Sequence, residues 1–107
     1  MTPYKTARIQ ADTPAMTRKM LAQGGDLMMV EVKFHHKSDD PGFHTHPHEQ
    51  IAYVLRGSFE FINNGESTLM QAGDSVYVEP DVVHGCKPLE DDSVLLDIFT
   101  PQREDFN

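Results

Sequence analysis

The sequence is poor in the features that define several large classes of protein. It has one cysteine, and its 9 basic residues against 17 acidic ones give a formal net charge of −8. A single cysteine cannot form an internal disulfide, and the negative charge repels phosphate backbones and acidic membrane surfaces. No run approaches the roughly 18–20 apolar residues that cross a bilayer, and the first residues do not lead into the apolar stretch of a secretion signal. We therefore expect a cytoplasmic protein that binds neither nucleic acid nor membranes.

The length and apolar content favour one folded domain. The chain has 107 residues, of which 38% are hydrophobic, and a domain typically takes roughly 100–200 residues. We predict a single domain over residues 1–107. It would consist of an N-terminal arm at 1–15 that packs on the domain or on a partner, a barrel over about 16–99, and a short polar tail at 100–107.

Apolar and polar residues alternate over several short stretches, as they do in strands with one buried face. No stretch has the apolar spacing of a long helix, and Gly, Asn, Asp and Pro interrupt the pattern at short intervals. Strands are predicted at 17–22, 27–36, 50–56, 58–62, 67–71, 75–79 and 93–99. About seven short strands at this spacing predict an antiparallel sandwich or barrel whose small interior holds one ligand.

Four of the six histidines fall in two short patches. The first patch contains His44, His46 and His48 and ends at Gln50, whereas the second is His84 alone. On a strand, positions 44, 46 and 50 share one face, so their donors point into one interior, where neutral imidazoles suit divalent transition metals. His84 on a later strand would close the site. The competing interpretation, histidines on a polar surface loop, explains less well why the donors alternate.

The same residues carry a resemblance to the cupin family. The run His44-x-His46-x-x-x-Gln50-x6-Gly57 resembles the first cupin signature, in which two histidines and a Glu or Gln bind a metal. The stretch from Gly73 to His84 resembles the second signature, whose last histidine is the fourth ligand. The chain departs from these signatures at turn positions, namely Ser38, Glu79, Asp81 and Pro88.

The resemblance implies an all-β, single-domain cupin, an antiparallel double-sheet β-barrel of the jelly-roll type. It also implies one divalent transition metal per chain (Ni, Mn, Fe, Co or Zn), with His44, His46, Gln50 and His84 as ligands. An amide ligand in place of a carboxylate leaves the site one charge more positive, which favours an anionic substrate over activation of dioxygen. The neighbouring Glu49 has the opposite parity and is expected to point away from the metal.

The remaining histidines are left with open roles. His48 shares the parity of the ligands but follows Pro47, so it either supports the ligands from beside them or replaces His44. His35 and His36 come at the end of a predicted strand, where solvent-facing side chains are expected.

An acidic residue interrupts the last apolar strand. Asp97 shares a face with Leu95 and Phe99, so it is either a buried carboxylate at a site or half of a structural ion pair with Arg103. The stretch resembles the ending of the small single-domain cupins of pectin and uronate degradation, which also carry the His-x-His-Pro-His-Glu-Gln block. In that family an Asp, a Phe two positions on and an Arg four further on line the pocket, and they match Asp97, Phe99 and Arg103.

This resemblance implies metal-dependent conversion of 4,5-unsaturated uronate monosaccharides, the products of pectin or alginate lyases, to open-chain 5-keto-4-deoxyuronate. It gives Asp97 a role in proton transfer, Arg103 the substrate carboxylate and Phe99 an apolar wall. The partner would be a small anionic sugar. Two alternatives stay open: another metal-dependent cupin enzyme, such as a dioxygenase or sugar isomerase, and a non-catalytic module that binds a small ligand.

The strand that follows the histidines is apolar on both faces. Ile51, Tyr53 and Leu55 alternate with the residues on the ligand face. Either a second packed sheet or another copy of the chain would cover these side chains. We expect the second arrangement, a homodimer.

Overall fold

The computed structural model describes residues 1–107 and consists almost entirely of β-strands. The strands are β1 (Arg8–Asp12), β2 (Met16–Gly24), β3 (Leu27–Phe34), β4 (Glu49–Arg56), β5 (Ser58–Asn63), β6 (Glu66–Gln71), β7 (Ser75–Val78), β8 (His84–Pro88) and β9 (Ser93–Thr100). One turn of 3-10 helix follows at Glu104–Phe106. No helix of the structure has the length and apolar character needed to cross a membrane.

The strands form two sheets in which every pairing is antiparallel. The larger sheet has six strands in the order β1-β2-β3-β9-β4-β7, and the smaller has three in the order β6-β5-β8. The non-sequential neighbours, β3 beside β9 and β9 beside β4, bring the C-terminal strand into the middle of the larger sheet. The predicted all-β fold with two antiparallel sheets is confirmed.

Strict alternation places the core between the sheets. In β9 every second residue is buried, from Ser93 to Phe99, because successive side chains of a strand point to opposite faces. The apolar core falls into two clusters, one around Val54 and Phe59 and the other around Met28 and Val30. Leu95 belongs to the first cluster and Phe99 to the second, so Asp97 lies between two apolar regions of the interior.

The N-terminal arm packs on the domain through a strand, and the C-terminal segment is not polar throughout. The expected arm contains a strand, since Arg8–Asp12 pairs with β2 at the edge of the larger sheet. The sequence pattern did not predict this strand, because only two of its five residues are apolar. The prediction of a polar tail at 100–107 is wrong for Phe106, which is 7% exposed and packs edge-on against Phe99 at 5.6 Å between ring centroids. Its ring is buried because it packs in the core cluster around Met28 and Val30.

Candidate metal centre

Three histidines converge although they do not lie on one strand. His44 and His84 form an isolated β-bridge, in which each backbone N–H donates to the other residue's carbonyl at 3.0 Å. His46 follows His44, and the nitrogen atoms that the three rings offer lie within 4.8 Å of one another. The prediction that positions 44, 46 and 50 share a single strand is wrong, because β4 begins only at Glu49. Pro47, which has no N–H to donate to a ladder, interrupts the pairing.

Each of these imidazoles is oriented by the backbone. Nδ1 of His44, His46 and His84 lies 2.9 to 3.1 Å from a carbonyl oxygen two residues away, the partners being Gly42, His48 and Val82. A carbonyl only accepts hydrogen bonds, so Nδ1 carries the proton and Nε2 keeps its lone pair. Metal-binding histidines are held in this way, with the outer nitrogen fixed and the inner one free for the ion.

Gln50 adds an amide oxygen to the group. Its Nε2 donates to Asp97 Oδ1 at 2.9 Å, which turns Oε1 toward His46 Nε2 at 3.0 Å. With the proton of His46 on Nδ1, two lone pairs face each other at this distance. Nε2 of His84 is also buried without a hydrogen-bond partner. A cation held by His46, Gln50 and His84 would remove the repulsion between the first two and satisfy the third. Three imidazoles and one amide oxygen are donors that suit a divalent transition metal.

The electrostatics of the site keep its donors neutral. Burial lowers the pKa of His46, and it lowers the pKa of His84 to about 4. Since only the unprotonated imidazole binds a metal, both residues are in the binding form at neutral pH. Burial has the opposite effect on the acid, because it raises the pKa of Asp97 to about 6. The hydrogen bond from Gln50 and the positive charges of Arg103 and Arg18 lower this pKa, but they do not outweigh burial.

His44, His84 and Gln50 line a cavity of about 410 Å³, a volume within the usual range for small-molecule sites. Its lining includes all three residues for which the resemblance implied catalytic roles: Asp97, Phe99 and Arg103. The ring of Phe99 is buried and meets the ring of His46 edge-on at 5.7 Å between centroids. The structure thus brings the predicted metal ligands and the predicted catalytic residues to one place.

Asp97 and Arg103 do not pair with each other. Asp97 is bonded to Gln50, whereas Arg103 donates from Nε and Nη2 to the two carboxylate oxygens of Asp105, at 3.2 and 2.7 Å. The alternative interpretation of Asp97 as half of a structural ion pair with Arg103 therefore lacks its main contact. The acid is buried on its own, with an amide as its only side-chain partner.

Sequence reasoning missed part of the cavity wall. Arg18, Asp105 and Phe106 also line the cavity. Arg18 lies on β2 with the same parity as Met16 and Met20, so the available signal was one basic residue on an otherwise apolar face. Nothing local to residues 100–107 shows that this segment folds back to meet β2.

The other polar residues of the histidine segment lie outside the cluster. Glu49 points away, as predicted, and accepts a hydrogen bond from the Tyr77 hydroxyl at 2.6 Å. The ring of His48 packs against that of His46 at 5.4 Å between centroids, and its contribution to the cluster is the carbonyl that orients His46. The two histidines just after β3 are the partly buried His35 and the exposed His36.

Comparison with known proteins agrees with the fold and the site. The cupin domain model matches residues 30–99. The chain therefore belongs to the cupin family. It is 43% identical over 90 residues to the pectin degradation protein KdgF of Dickeya dadantii (strain 3937), an alignment that covers 83% of this chain and 81% of that protein. The resemblance to the small cupins of pectin degradation is confirmed.

Solved structures give the same grouping. The structure of KdgF from Halomonas sp. matches with a TM-score of 0.85 at 37% identity, covering 92% of this chain and 90% of that one. An RmlC-like cupin from Shewanella frigidimarina NCIMB 400 matches with a TM-score of 0.86 at 33% identity, covering 96% and 91%. Both comparisons extend over nearly the whole chain.

Proposed function

We propose that this chain is a metal-dependent enzyme that converts 4,5-unsaturated uronate monosaccharides to open-chain 5-keto-4-deoxyuronate in pectin or alginate catabolism. The observation that carries the proposal is the buried Asp97, which lines the same cavity as His44 and His84 of the histidine cluster. The identity of 43% to a protein named for pectin degradation supports the choice of substrate. A ligand set of three imidazoles with Gln50 supports the dependence on a metal.

The reaction is an isomerisation in which one proton changes place. The hydroxyl at C1 loses its proton, the bond between C1 and the ring oxygen breaks, and C1 becomes an aldehyde. The ring oxygen leaves as the enolate oxygen of C5, and protonation of C4 turns that enolate into a ketone. Nothing is oxidised or reduced, so the site needs a proton carrier and a means to stabilise negative charge on oxygen.

Asp97 is the proton carrier in this proposal. Its Oδ1 accepts the hydrogen bond from Gln50, which leaves Oδ2 to take the proton from the C1 hydroxyl and to deliver a proton to C4. A divalent metal, when bound by the histidines, supplies an electrophile for the oxygen that becomes negative. Phe99 forms an apolar wall against the sugar ring. Arg103, held by Asp105, contributes positive charge for the substrate carboxylate.

An absorbance assay tests the proposal. The conjugated C4–C5 double bond of an unsaturated uronate absorbs ultraviolet light, and ring opening with ketonisation destroys that conjugation. Metal-replete protein is expected to speed the loss of absorbance of the monomer well above the spontaneous rate. The unsaturated disaccharide is expected to react poorly, because the reaction needs a free C1 hydroxyl inside a small cavity.

The controls separate this function from its alternatives. His84→Ala should abolish the acceleration, whereas His36→Ala, which changes an exposed histidine outside the cluster, should keep it. Oxygen uptake on a candidate substrate would instead favour a dioxygenase. A decay of the monomer at the spontaneous rate with metal-replete protein would contradict the proposal.

We further propose that the chain forms a homodimer through the outer face of the larger sheet. Ile51, Tyr53 and Leu55 of β4 are exposed there, beside the exposed Tyr77 of β7. Covering such a patch removes apolar surface from water. Analytical ultracentrifugation should give a dimer for the parent and a monomer for Leu55→Glu, and a monomeric parent at micromolar concentration would refute the proposal.

A further inference from the structure

A second arginine lines the cavity from the opposite end of the chain. Arg18 lies on the inner face of β2, opposite Val32 of β3, whose side chain is buried. It lines the same cavity as Asp97 and Arg103. A cation on the inner face of a barrel loses solvation, and burial is the first cause of the lowered pKa of Arg18. Such a position needs a compensating interaction.

The structure gives Arg18 no carboxylate partner. The ion pairs of the chain are Lys33 with Asp92 and Arg103 with Asp105. The Nε of Arg18 donates to Gln10 Oε1, but no hydrogen bond involves its two terminal nitrogens. Of the two guanidinium edges that can pair with a carboxylate in bidentate fashion, the one formed by the two terminal nitrogens is therefore free in Arg18.

The local fold holds this side chain in one orientation. Gln10 is the extra residue of a bulge in β1, between the pairs Ile9 with Lys19 and Ala11 with Arg18. Bulges near sites commonly re-aim a side chain. Here the amide of Gln10 accepts from Arg18 through Oε1 and donates through Nε2 to the carbonyl of Asp105 at 3.3 Å. One amide thus joins β2 to the turn that carries Asp105.

Both arginines stack on the same aromatic ring. The guanidinium carbon of Arg18 lies 3.7 Å from the centroid of Phe106, and that of Arg103 lies 4.0 Å from it. Two positive charges are thereby held close together, and their repulsion is the second cause of the lowered pKa of Arg18. Asp105 and Asp97 offset this repulsion in part by their charge, but only Arg103 makes a direct ion pair with an acid. An anion bound directly at Arg18 would relieve the remaining repulsion.

We propose that Arg18 is the principal binding residue for the carboxylate of the uronate substrate, a role that sequence reasoning gave to Arg103. The inference rests on the proposed function for the identity of the anion. Arg18 offers its free edge to the carboxylate, whereas Nε and Nη2 of Arg103 are already engaged by Asp105. Arg103 then adds charge at the site, and Phe106 with Gln10 sets the position of Arg18.

Calorimetric titration of the metal-replete protein with a saturated uronate tests this directly. Galacturonate has no C4–C5 double bond and is not turned over, so it reports binding alone, and galactose serves as its uncharged counterpart. The parent should prefer galacturonate to galactose. Arg18→Gln should lower the affinity for galacturonate by about 10- to 100-fold, the usual value of a charge-assisted pair, and leave that for galactose unchanged.

Two further variants control for the loss of a positive charge and for failure of Arg18→Gln to fold. Lys19→Gln removes the same charge from the opposite face of β2 and should bind galacturonate like the parent. Arg18→Lys keeps the charge but not the planar fork, so it should show a smaller loss than Arg18→Gln. If Arg18→Gln fails to fold, the affinity of Arg18→Lys for galacturonate decides the question.

The outcomes distinguish this inference from the function on which it rests. Unchanged affinity for galacturonate in both Arg18 variants, an equal loss for both sugars, or a parent without preference for the uronate would overturn the role of Arg18. Loss of galacturonate binding in these variants would support it. If the Arg18 variants lost galacturonate binding but the parent did not turn over the unsaturated monomer, the carboxylate site would be supported and the proposed reaction would be refuted.

Discussion

Replacing Asp97 by asparagine is expected to make the protein more stable and much less active. Asp97 is 8% exposed, and burial raises the pKa of its carboxyl from 3.8 to about 6. The folded protein at neutral pH therefore holds an ionised group in a place that disfavours it. Asparagine has nearly the same shape, and its side-chain oxygen can still accept the hydrogen bond from Gln50. The substitution removes the buried charge and leaves the packing in place.

The expected gain in stability follows from the rise in the pKa of Asp97. One pKa unit corresponds to about 1.4 kcal/mol, so a rise of about two units destabilises the ionised folded state by about 3 kcal/mol. In the protonated folded protein, below pH 4, this penalty is absent. It grows as the pH rises from 4 toward 6 and is complete above the folded-state pKa, because the unfolded chain ionises at the lower pH. For a domain of this size, the melting temperature should rise by on the order of 10 °C at pH 8.

Thermal unfolding of metal-free parent and Asp97→Asn between pH 4 and pH 8 measures this difference. Metal-free protein is required because a bound cation would itself favour the ionised carboxylate. The gap in melting temperature should be small at pH 4 and open as the pH rises. Asp26→Asn, at an exposed acid in a turn, should track the parent throughout.

Turnover gives the second half of the prediction. Loss of a positioned acid or base should lower kcat by about 10²–10⁴-fold in the metal-replete variant. An Asp97→Asn protein that melts below the parent at pH 8, or one that turns over the unsaturated monomer normally, would refute the reasoning. The first result would mean that Asp97 stabilises the fold, and the second that it is not the proton carrier.

Three further predictions concern the metal and the backbone. His84→Ala should lose the bound metal in elemental analysis while His36→Ala keeps one ion per chain, and full occupancy in both would remove His84 from the ligand set. Gly57→Ala should lower the free energy of unfolding in urea by about 2–4 kcal/mol, because its φ is 78° and a Cβ would lie 2.2 Å from the Ser93 hydroxyl oxygen. Gly65→Ala, with φ at 81° and nothing within 4 Å, should cost only about 1 kcal/mol, and equal losses would argue against the clash. A divalent metal at 100 times its Kd should stabilise the folded protein by about 2.7 kcal/mol, and a chelator should reverse this gain. A melting temperature that changes with neither the metal nor the chelator would contradict a metal that binds only the folded state.

The strands were predictable because each buries one face. A strand predicted at 50–56 is observed at Glu49–Arg56, and one predicted at 93–99 is observed at Ser93–Thr100. Alternation is a local property of the chain and survives without knowledge of the partner strands. For the same reason Asp97 stood out as a polar residue on an apolar face.

Contacts between distant parts of the chain were beyond such reasoning. Parity grouped His44, His46 and Gln50, which do lie close together, but the single strand it assumed does not exist. The backbone bridge between His44 and His84 brings the rings together instead. The wall formed by Arg18 with the C-terminal turn depends on a bulge in β1. A hydrogen bond spanning 95 residues joins that bulge to the turn, and no local pattern encodes it.

The central claim is that the metal centre and Asp97 together open the ring of an unsaturated uronate, and the product formed in heavy water tests it most directly. Proton and carbon NMR should show metal-replete protein converting the monomer to open-chain 5-keto-4-deoxyuronate, with one deuterium at C4 in a single stereochemical position. Asp97→Asn and the metal-free protein should leave only the spontaneous reaction. Deuterium spread over both positions at the spontaneous rate, or a product that contains oxygen from O₂, would contradict the account.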